Sequence, residues 1–398
     1  MADLRSFEEA QQLVLERVEP LPAESVAIAD AAGRVLAEAA AARVDLPPFA
    51  SSAMDGYALR AADTPGRLPV VAHIAAGRPA PRPLEPGEAM EISTGGVVPD
   101  GADAVVPVEA VVTHDNGVVE ITAQVARGEN VRSRGGDVRS GDPVCPAGVR
   151  LTPAQLGALA AVGLAEVRCA RRPRVALLAT GTELRAPGEP LGPGEIYESN
   201  GLMLAAALAA EGAEVERLPR VKDEERAHRT ALERGLEADV LVTSGGVSVG
   251  PHDLVRTLEA ELGVEEVFWG VAVKPGKPVA FGVRGRTLVF GLPGNPVSSL
   301  VGLELFVRPA LRALQGLADP LPRFESGALA APLRRTPGRD ELARARTRRT
   351  DGRVELEPLS GQESHMIVRA AAADALVLVP RGAGVLAAGD SVRYLRLV

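Results

Sequence analysis

Apolar and polar positions change period several times along the chain, and each change marks a segment. Phe7, Ala10, Val14 and Val18 recur at helical spacing behind Ser6 and Glu9, which can form a capping box. After Asp30 the alanine-rich stretch Ala31–Ala42 predicts a second helix. From Val44 to about Asp137 the pattern turns to short β-like runs punctuated by Gly and Pro. Val105–Thr113 and Val118–Val125 flank Asn116-Gly117, a hairpin signal. Helical spacing returns at Thr152, with Gln155 completing a second capping box, Pro153 at the first helical position and Gly163 as the stop. This order permits one helical domain, 1–43 with 139–170, into which a β-rich domain, 44–138, is inserted.

Residues 171–319 alternate strands and helices. Val175–Ala179, Val215–Val221, Asp239–Thr243, Val267–Val273 and Leu288–Phe290 read as strands. Helices are predicted over Leu202–Glu211, Glu224–Leu236 and Asp253–Leu262, with a last one after Pro296. Such a βαβ series makes a mostly parallel sheet covered by helices. Residues 320–398 turn β-like again, with Arg353–Glu357, Ala375–Val379 and Ser391–Val398. A small β-barrel is the simplest arrangement for them. The expectation is an α/β multidomain protein: a discontinuous helical domain, an inserted β-rich domain, a three-layer α/β domain and a C-terminal barrel.

Composition narrows the function. The 398 residues are 46% hydrophobic and 24% charged, as in a soluble globular protein. A net charge of −8 argues against a general nucleic-acid binder. Cys145 and Cys169 have no metal-ligand spacing and read as small buried hydrophobes. The first residues carry no apolar signal segment, and no apolar run reaches about 18 residues, so a cytoplasmic protein away from membranes is expected.

Only three of the 44 basic residues are lysine: Lys222, Lys274 and Lys277. Two of them share the loop Val273-Lys274-Pro275-Gly276-Lys277-Pro278. Where arginine serves everywhere else, a retained lysine suggests a need for a compact point charge, as for an oxyanion or phosphate. The plainer reading is a surface turn. Open parallel sheets bind ligands beyond the carboxyl ends of their strands. The loops there are Thr180-Gly181-Thr182-Glu183, Lys222-Asp223, Ser244-Gly245-Gly246-Val247-Ser248-Val249-Gly250, Lys274-Pro275-Gly276-Lys277 and Gly291-Leu292-Pro293-Gly294-Asn295-Pro296-Val297-Ser298-Ser299. Glycines let backbone N–H groups approach an anion, and hydroxyls and helix starts add donors. Together the loops point to a phosphate-bearing ligand. Glu183, Asp223 and Asp253 share the edge and could hold Mg²⁺ with phosphate oxygens and water, though Asp223 and Asp253 also suit helix N-caps. His252 could be a ligand or a structural histidine. A Walker A loop and a G-x-G-x-x-G opening are both missing, which disfavours P-loop hydrolases and Rossmann dehydrogenases. The inserted domain adds polar loops at Pro47–Tyr57, Ile92–Gly96 and Arg132–Asp137, which could be only turns or could form a second surface closing over a ligand.

Ser52-Ala53-Met54-Asp55-Gly56-Tyr57-Ala58, Thr180-Gly181-Thr182-Glu183-Leu184, Ser244-Gly245-Gly246-Val247-Ser248, Lys274-Pro275-Gly276-Lys277-Pro278 and Leu292-Pro293-Gly294-Asn295-Pro296-Val297-Ser298 resemble, in order, the motifs of the molybdopterin molybdenumtransferase (MoeA) family, related to the E domain of gephyrin. The resemblance runs from the first helix to the last strand. It implies an elongated homodimer of four-domain subunits whose third domain is similar to molybdopterin adenylyltransferase (MogA). The implied reaction inserts molybdate into adenylylated molybdopterin and releases AMP with the help of Mg²⁺, the final step of molybdenum cofactor biosynthesis. Asp55, Thr94 and Asp137 would then face the cleft from the inserted domain. Glu183, Asp223 and Asp253 would serve the metal and the phosphoanhydride. Lys274 and Lys277 would bind pterin phosphate or molybdate, Ser298 would add a donor, and Arg344 and Ser364 would complete a molybdate site, with Arg339 as the alternative to Arg344. The family often has Asp where Thr182 stands. Molybdopterin adenylyltransferase and molybdoenzymes are the protein partners implied. Two rivals remain: an adenylyltransferase, which would use residues 174–315 alone, and a scaffold of the gephyrin kind.

Overall fold

The computed structural model describes residues 4–219, 225–246, 254–350 and 352–397. Ser6 caps the helix Phe7–Leu15 through the box anticipated with Glu9: the Glu9 N–H donates to Ser6 Oγ at 3.1 Å and the Ser6 N–H to Glu9 Oε2 at 2.9 Å. Phe7, Ala10 and Val14 are buried, yet not against residues 139–170. They join the core of the α/β layer, and Gln11 donates to the Leu305 carbonyl at 2.8 Å.

Ala31–Ala42 is not a helix. A single 3₁₀ turn, Ile28–Asp30, is followed by Gly33 at φ +70° and then by extended chain. Val35 bridges Arg150, Leu36 bridges Cys169, and Ala40–Ala41 pairs with Pro143–Cys145. Burying Val35 and Leu36 by cross-chain pairing outweighs the weak helix preference of the alanines. Ala23–Ala27 also pairs with Glu166–Ala170, and the helix Pro153–Ala161 carries the Thr152–Gln155 box. Two stretches of chain thus build one unit, and a β-rich unit is inserted between them. That unit is a six-stranded sheet in the order Ala104–Pro107, Gly56–Leu59, Ala89–Ile92, Gly66–Ile74, Val118–Ile121, Val112–His114. The hairpin at Asn116-Gly117 is present, with Gly117 at φ +73°. Its first strand is only Val112–His114, because Val108–Ala110 is a 3₁₀ turn.

The α/β sheet runs Glu214–Arg217, Arg174–Ala179, Val240–Ser244, Thr287–Leu292, Ala280–Arg284, Glu265–Trp269. The first four strands are parallel, and Ala280–Arg284, not anticipated from sequence, is antiparallel to both its neighbours. Alternation sorts the strands onto two buried faces: Val175, Leu177, Val240 and Val242 on one, Ala176, Leu178, Leu241 and Val289 on the other. Val267–Val273 does not continue as one strand. Gly270 turns at φ +85°, and Val273–Lys274 departs to pair with the last unit. There Asp340–Thr350, Arg353–Pro358, Phe324–Leu329, Ser391–Arg396 and Ala375–Val379 close into a barrel, the last strand pairing back to the first. No helix among the described residues is long and apolar enough to cross a membrane.

Candidate functional site

The parallel strands deliver their loops to one edge, and the glycines there decide how closely those loops approach. Thr180 follows Ala179 and donates both its N–H, at 3.1 Å, and its hydroxyl, at 3.4 Å, to the Ser244 carbonyl. Gly245 sits at φ +94°, where a Cβ would lie 2.8 Å from Thr180 Oγ1. Gly181, at φ +146°, passes so close to the Glu183 carboxylate that a Cβ would lie 2.6 Å from Oε2. A Cβ on Gly294 would already reach van der Waals contact with Gly245 Cα at 3.9 Å. A side chain on Gly245 would push its loop away from Thr180, and one on Gly181 would displace the Glu183 carboxylate.

Between the loops lies a cleft of about 540 Å³, a size suited to a small-molecule ligand. Thr180, Glu183, Ser244, Gly294 and Asn295, all anticipated from sequence, line it. Sequence reasoning missed Asn200, Tyr197 and His365, which line it too. Asn200 ties the loops together: its amide donates to Ser244 Oγ at 2.9 Å and to the Gly294 carbonyl at 2.7 Å. The signal was available. Helix Asn200–Ala210 starts two residues earlier than read, so a polar side chain stands at its first position on the ligand edge. His365 comes from the last unit, next in sequence to Ser364.

The start of the helix Pro296–Gly302 organises the rest. On one side is the cleft. Against its first turn packs the lysine loop, where a Cβ on Gly276 would lie 3.5 Å from the Ser298 carbonyl. Lys274 and Lys277 therefore flank the helix start but do not line the cleft. Ser364 reaches the same turn, its carbonyl accepting from the Val297 N–H at 3.1 Å. Arg344 is 1% exposed and grips the loop that carries Ser364: Nη1 donates to the Glu363 carbonyl at 3.2 Å and Nη2 to the Gly361 carbonyl at 2.8 Å. Burial lowers the Arg344 pKa, opposed by the charges of Glu363 and Glu341. Ser298 is buried.

Asp55 and Thr94 meet in the inserted unit, at a distance in sequence that hid the contact. The Thr94 N–H donates to Asp55 Oδ1 at 2.7 Å and its hydroxyl to the same atom at 3.0 Å. The backbone donor first, then the hydroxyl, hold the Asp55 carboxyl below its ordinary value. Asp137 is exposed, its N–H donating to the Leu46 carbonyl at 2.9 Å. None of the three lines the cleft. Lys222, Asp223, Ser248, His252 and Asp253 lie outside the described residues.

Comparison with known proteins fixes the family. Profiles described as MoeA N-terminal region (domain I and II), probable molybdopterin binding domain and MoeA C-terminal region (domain IV) match residues 5–163, 176–313 and 306–397. Molybdopterin molybdenumtransferase 2 of Mycobacterium tuberculosis is 40% identical over 98% of this chain and 99% of its own. The chain belongs to the molybdopterin molybdenumtransferase family. The Haemophilus influenzae molybdopterin molybdenumtransferase is 34% identical, with 97% of each chain covered. A crystal structure of the molybdopterin biosynthesis MoeA protein from Pyrococcus horikosii superposes with a TM-score of 0.83 at 32% identity, over 99% of both chains. Membership makes the chain a transferase of molybdenum cofactor biosynthesis. In that family frame most of the cleft lining belongs to the segment matched as molybdopterin-binding, His365 and Ile367 come from the C-terminal region, and the residues gathered at the helix start lie at the junction of the two.

Proposed function

We propose that this transferase inserts molybdate into adenylylated molybdopterin and releases AMP with Mg²⁺ present, acting as a cytoplasmic homodimer. The observation that carries the reading is the cleft at the sheet's carboxyl edge, where the loops at Gly181, Gly245 and Gly294 approach one another around Thr180, Ser244 and Asn200. The Ser244 hydroxyl and backbone N–H donors at such an edge suit phosphate oxygens, while the Asn200 amide is spent on holding the loops.

Magnesium fits the donor chemistry. It takes one or two carboxylates and leaves the rest of its shell to phosphate oxygens and water. Glu183 supplies one carboxylate at the cleft, and no cluster of three acid, His or Cys ligands forms among the described residues. Glu183 would hold the ion, with Asp223 and Asp253 as proposed companions. When bound, the ion would offset charge developing on the phosphoanhydride. Thr180 and Ser244 orient the phosphates. Lys274, Lys277 and Ser298 hold the oxyanion beside the helix start, with Ser364 on the loop that Arg344 secures. Asp55, Thr94 and Asp137 lie outside the cleft of their own chain. A second copy would bring them to it, which is the reason for the homodimer. The same reading keeps domain boundaries at 43/44, 138/139, 170/171 and 319/320.

The test is AMP release by purified protein from adenylylated molybdopterin. Release should require both molybdate and Mg²⁺, consume no ATP, and yield cofactor that activates an apo-molybdoenzyme. AMP release equally fast without molybdate would refute the coupling. ATP consumption with pyrophosphate release would mark an adenylyltransferase instead.

A further inference from the structure

We infer that Glu341, on the barrel, is a positioning residue for Lys274, an inference that rests on the oxyanion role proposed for the lysine loop. The strand Val273–Lys274 leaves the α/β unit and lies parallel to the first barrel strand, with Val273 opposite Asp340 and Lys274 opposite Glu341. The Asp340 N–H donates to the Ala272 carbonyl at 2.9 Å, which pins that register. Opposed residues in a ladder project to the same face. Lys274 Nζ accordingly donates to Glu341 Oε2 at 3.1 Å, and the Thr336 hydroxyl donates to the same oxygen at 3.0 Å.

The two partners are unequal. The Glu341 side chain is 10% exposed, while that of Lys274 is 41% exposed. The carboxylate is therefore the fixed end and the ammonium the end that reaches outward. An ammonium has three N–H donors, and Glu341 takes one, so two remain for a ligand. Four carbons of lysine stem would otherwise let the charge wander. A carboxylate is a costly choice of anchor beside a site for a dianion, since it opposes the ligand's charge. Position and field therefore separate in the variants: Glu341→Gln keeps an acceptor and loses the charge, and Glu341→Ala loses both.

With unmodified enzyme, Glu341→Ala should lower kcat about tenfold, short of the roughly hundredfold that a full ångström of misplacement can cost, because the lysine keeps its backbone anchor. It should not raise KM for molybdate, because a like charge has gone. Glu341→Gln should restore kcat to within about twofold of wild type, since a neutral acceptor still fixes the amine. Adding Glu341→Ala to Lys274→Ala should cost nothing further. A second readout does not depend on turnover. The chain has three lysines, so reductive methylation with ¹³C-formaldehyde gives three dimethyl-lysine signals beside the α-amine. A dimethylated Lys274 keeps one N–H for Glu341, and its immobilised methyl groups should give two distinct signals. These should merge in Glu341→Ala and separate again in Glu341→Gln.

Wild-type kcat in Glu341→Ala, alongside a slow Lys274→Ala enzyme, would overturn the inference and leave the oxyanion role standing. A Glu341→Ala loss repeated in full on the Lys274→Ala background would overturn it too, because Glu341 would then act on the fold. If unmodified Lys274→Ala turns over normally, the oxyanion role itself fails and this inference falls with it.

Discussion

Two junctions of the molecule treat charge in opposite ways. Where residues 148–150 meet the α/β unit, one carboxylate, Glu211, receives three guanidiniums: Arg150 at 2.7 Å, Arg308 at 2.6 Å and Arg312 at 3.0 Å. The Glu211 side chain is 7% exposed, and the Gln315 amide donates to its backbone carbonyl at 3.0 Å. Where the α/β unit meets the barrel, one carboxylate meets one ammonium, and Lys277 stands exposed three residues on. The first arrangement surrounds an anion with cations and closes it off from solvent. The second fixes a cation while leaving donors on it. Charge of the first kind holds units of the fold together, and charge of the second kind is available to a ligand.

The largest effect should come from the lysine loop and should fall on activity alone. Lys274→Arg and Lys277→Arg keep the charge but spread it over a plane that does not fit a compact site. Turnover at saturating molybdate should fall about a hundredfold, the scale of losing a preorganised electrostatic donor, while the thermal midpoint stays put. Wild-type turnover in both variants would break the comparison, for the loop would then be an ordinary surface turn.

At the Glu211 junction the loss should fall on stability. Glu211→Ala leaves Arg150 and Arg312 without their shared anion beside Arg308, which keeps Glu304 at 2.8 Å. Removing one partner of a buried ion pair costs about 3–5 kcal/mol. A lowered denaturation midpoint with normal kcat for the molecules still folded is the expected result; normal stability would mean that solvent replaces the anion. Acid should act in the same direction. Burial alone would raise the Glu211 carboxyl, but the bonds and charges of Arg312, Arg150 and Arg308 outweigh it and hold it below its ordinary value. A carboxyl lowered in the native state stabilises fully above its unfolded pKa, and the contribution fades as pH falls through the lowered value. Acid unfolding of wild type should therefore show a stability loss in that window that Glu211→Ala no longer has.

Much of this architecture was legible because local signals agreed with tertiary ones. The Ser6–Glu9 and Thr152–Gln155 boxes, the strand Ala375–Val379 and the glycine loops at 181, 245 and 294 all stand where the sequence put them. The errors share a cause. Ala31–Ala42 carried helix propensity, but two of its buried residues, Val35 and Leu36, are claimed by partners more than a hundred positions away. Val267–Val273 read as one strand, yet it serves two sheets, and only Gly270 marks the break. At the site, Asn200 was hidden by misplacing the helix start, and Glu341 by sixty-seven residues of separation from Lys274. Spacing rules see neighbours on one element. They do not see which elements a closed barrel brings beside a loop.

A third way of holding charge gives the smallest and most local test. Asp55 has neither a crowd of cations nor a single counter-ion, only the N–H and hydroxyl of Thr94 at 2.7 and 3.0 Å. Neutral donors alone hold its carboxyl below the ordinary value, and the backbone N–H contributes most. Thr94→Val removes the hydroxyl and keeps the N–H. The Asp55 pKa should therefore rise part of the way back, and the thermal midpoint at neutral pH should fall slightly, by the share of the interaction that the hydroxyl supplied. Because the native value is the lowered one, the interaction is complete above the ordinary carboxylate range and is lost as pH falls through the native value. In Thr94→Val that loss should begin at higher pH. A ¹³C titration of the side-chain carboxyl reads it directly. An unchanged pKa would mean that the hydroxyl adds nothing, and a full return would mean that the backbone donor depends on it. If the shift is partial and the variant also slows AMP release while Asp55 is still ionised at the assay pH, the effect lies in the orientation of the carboxylate or in the Thr94 hydroxyl itself, not in the charge.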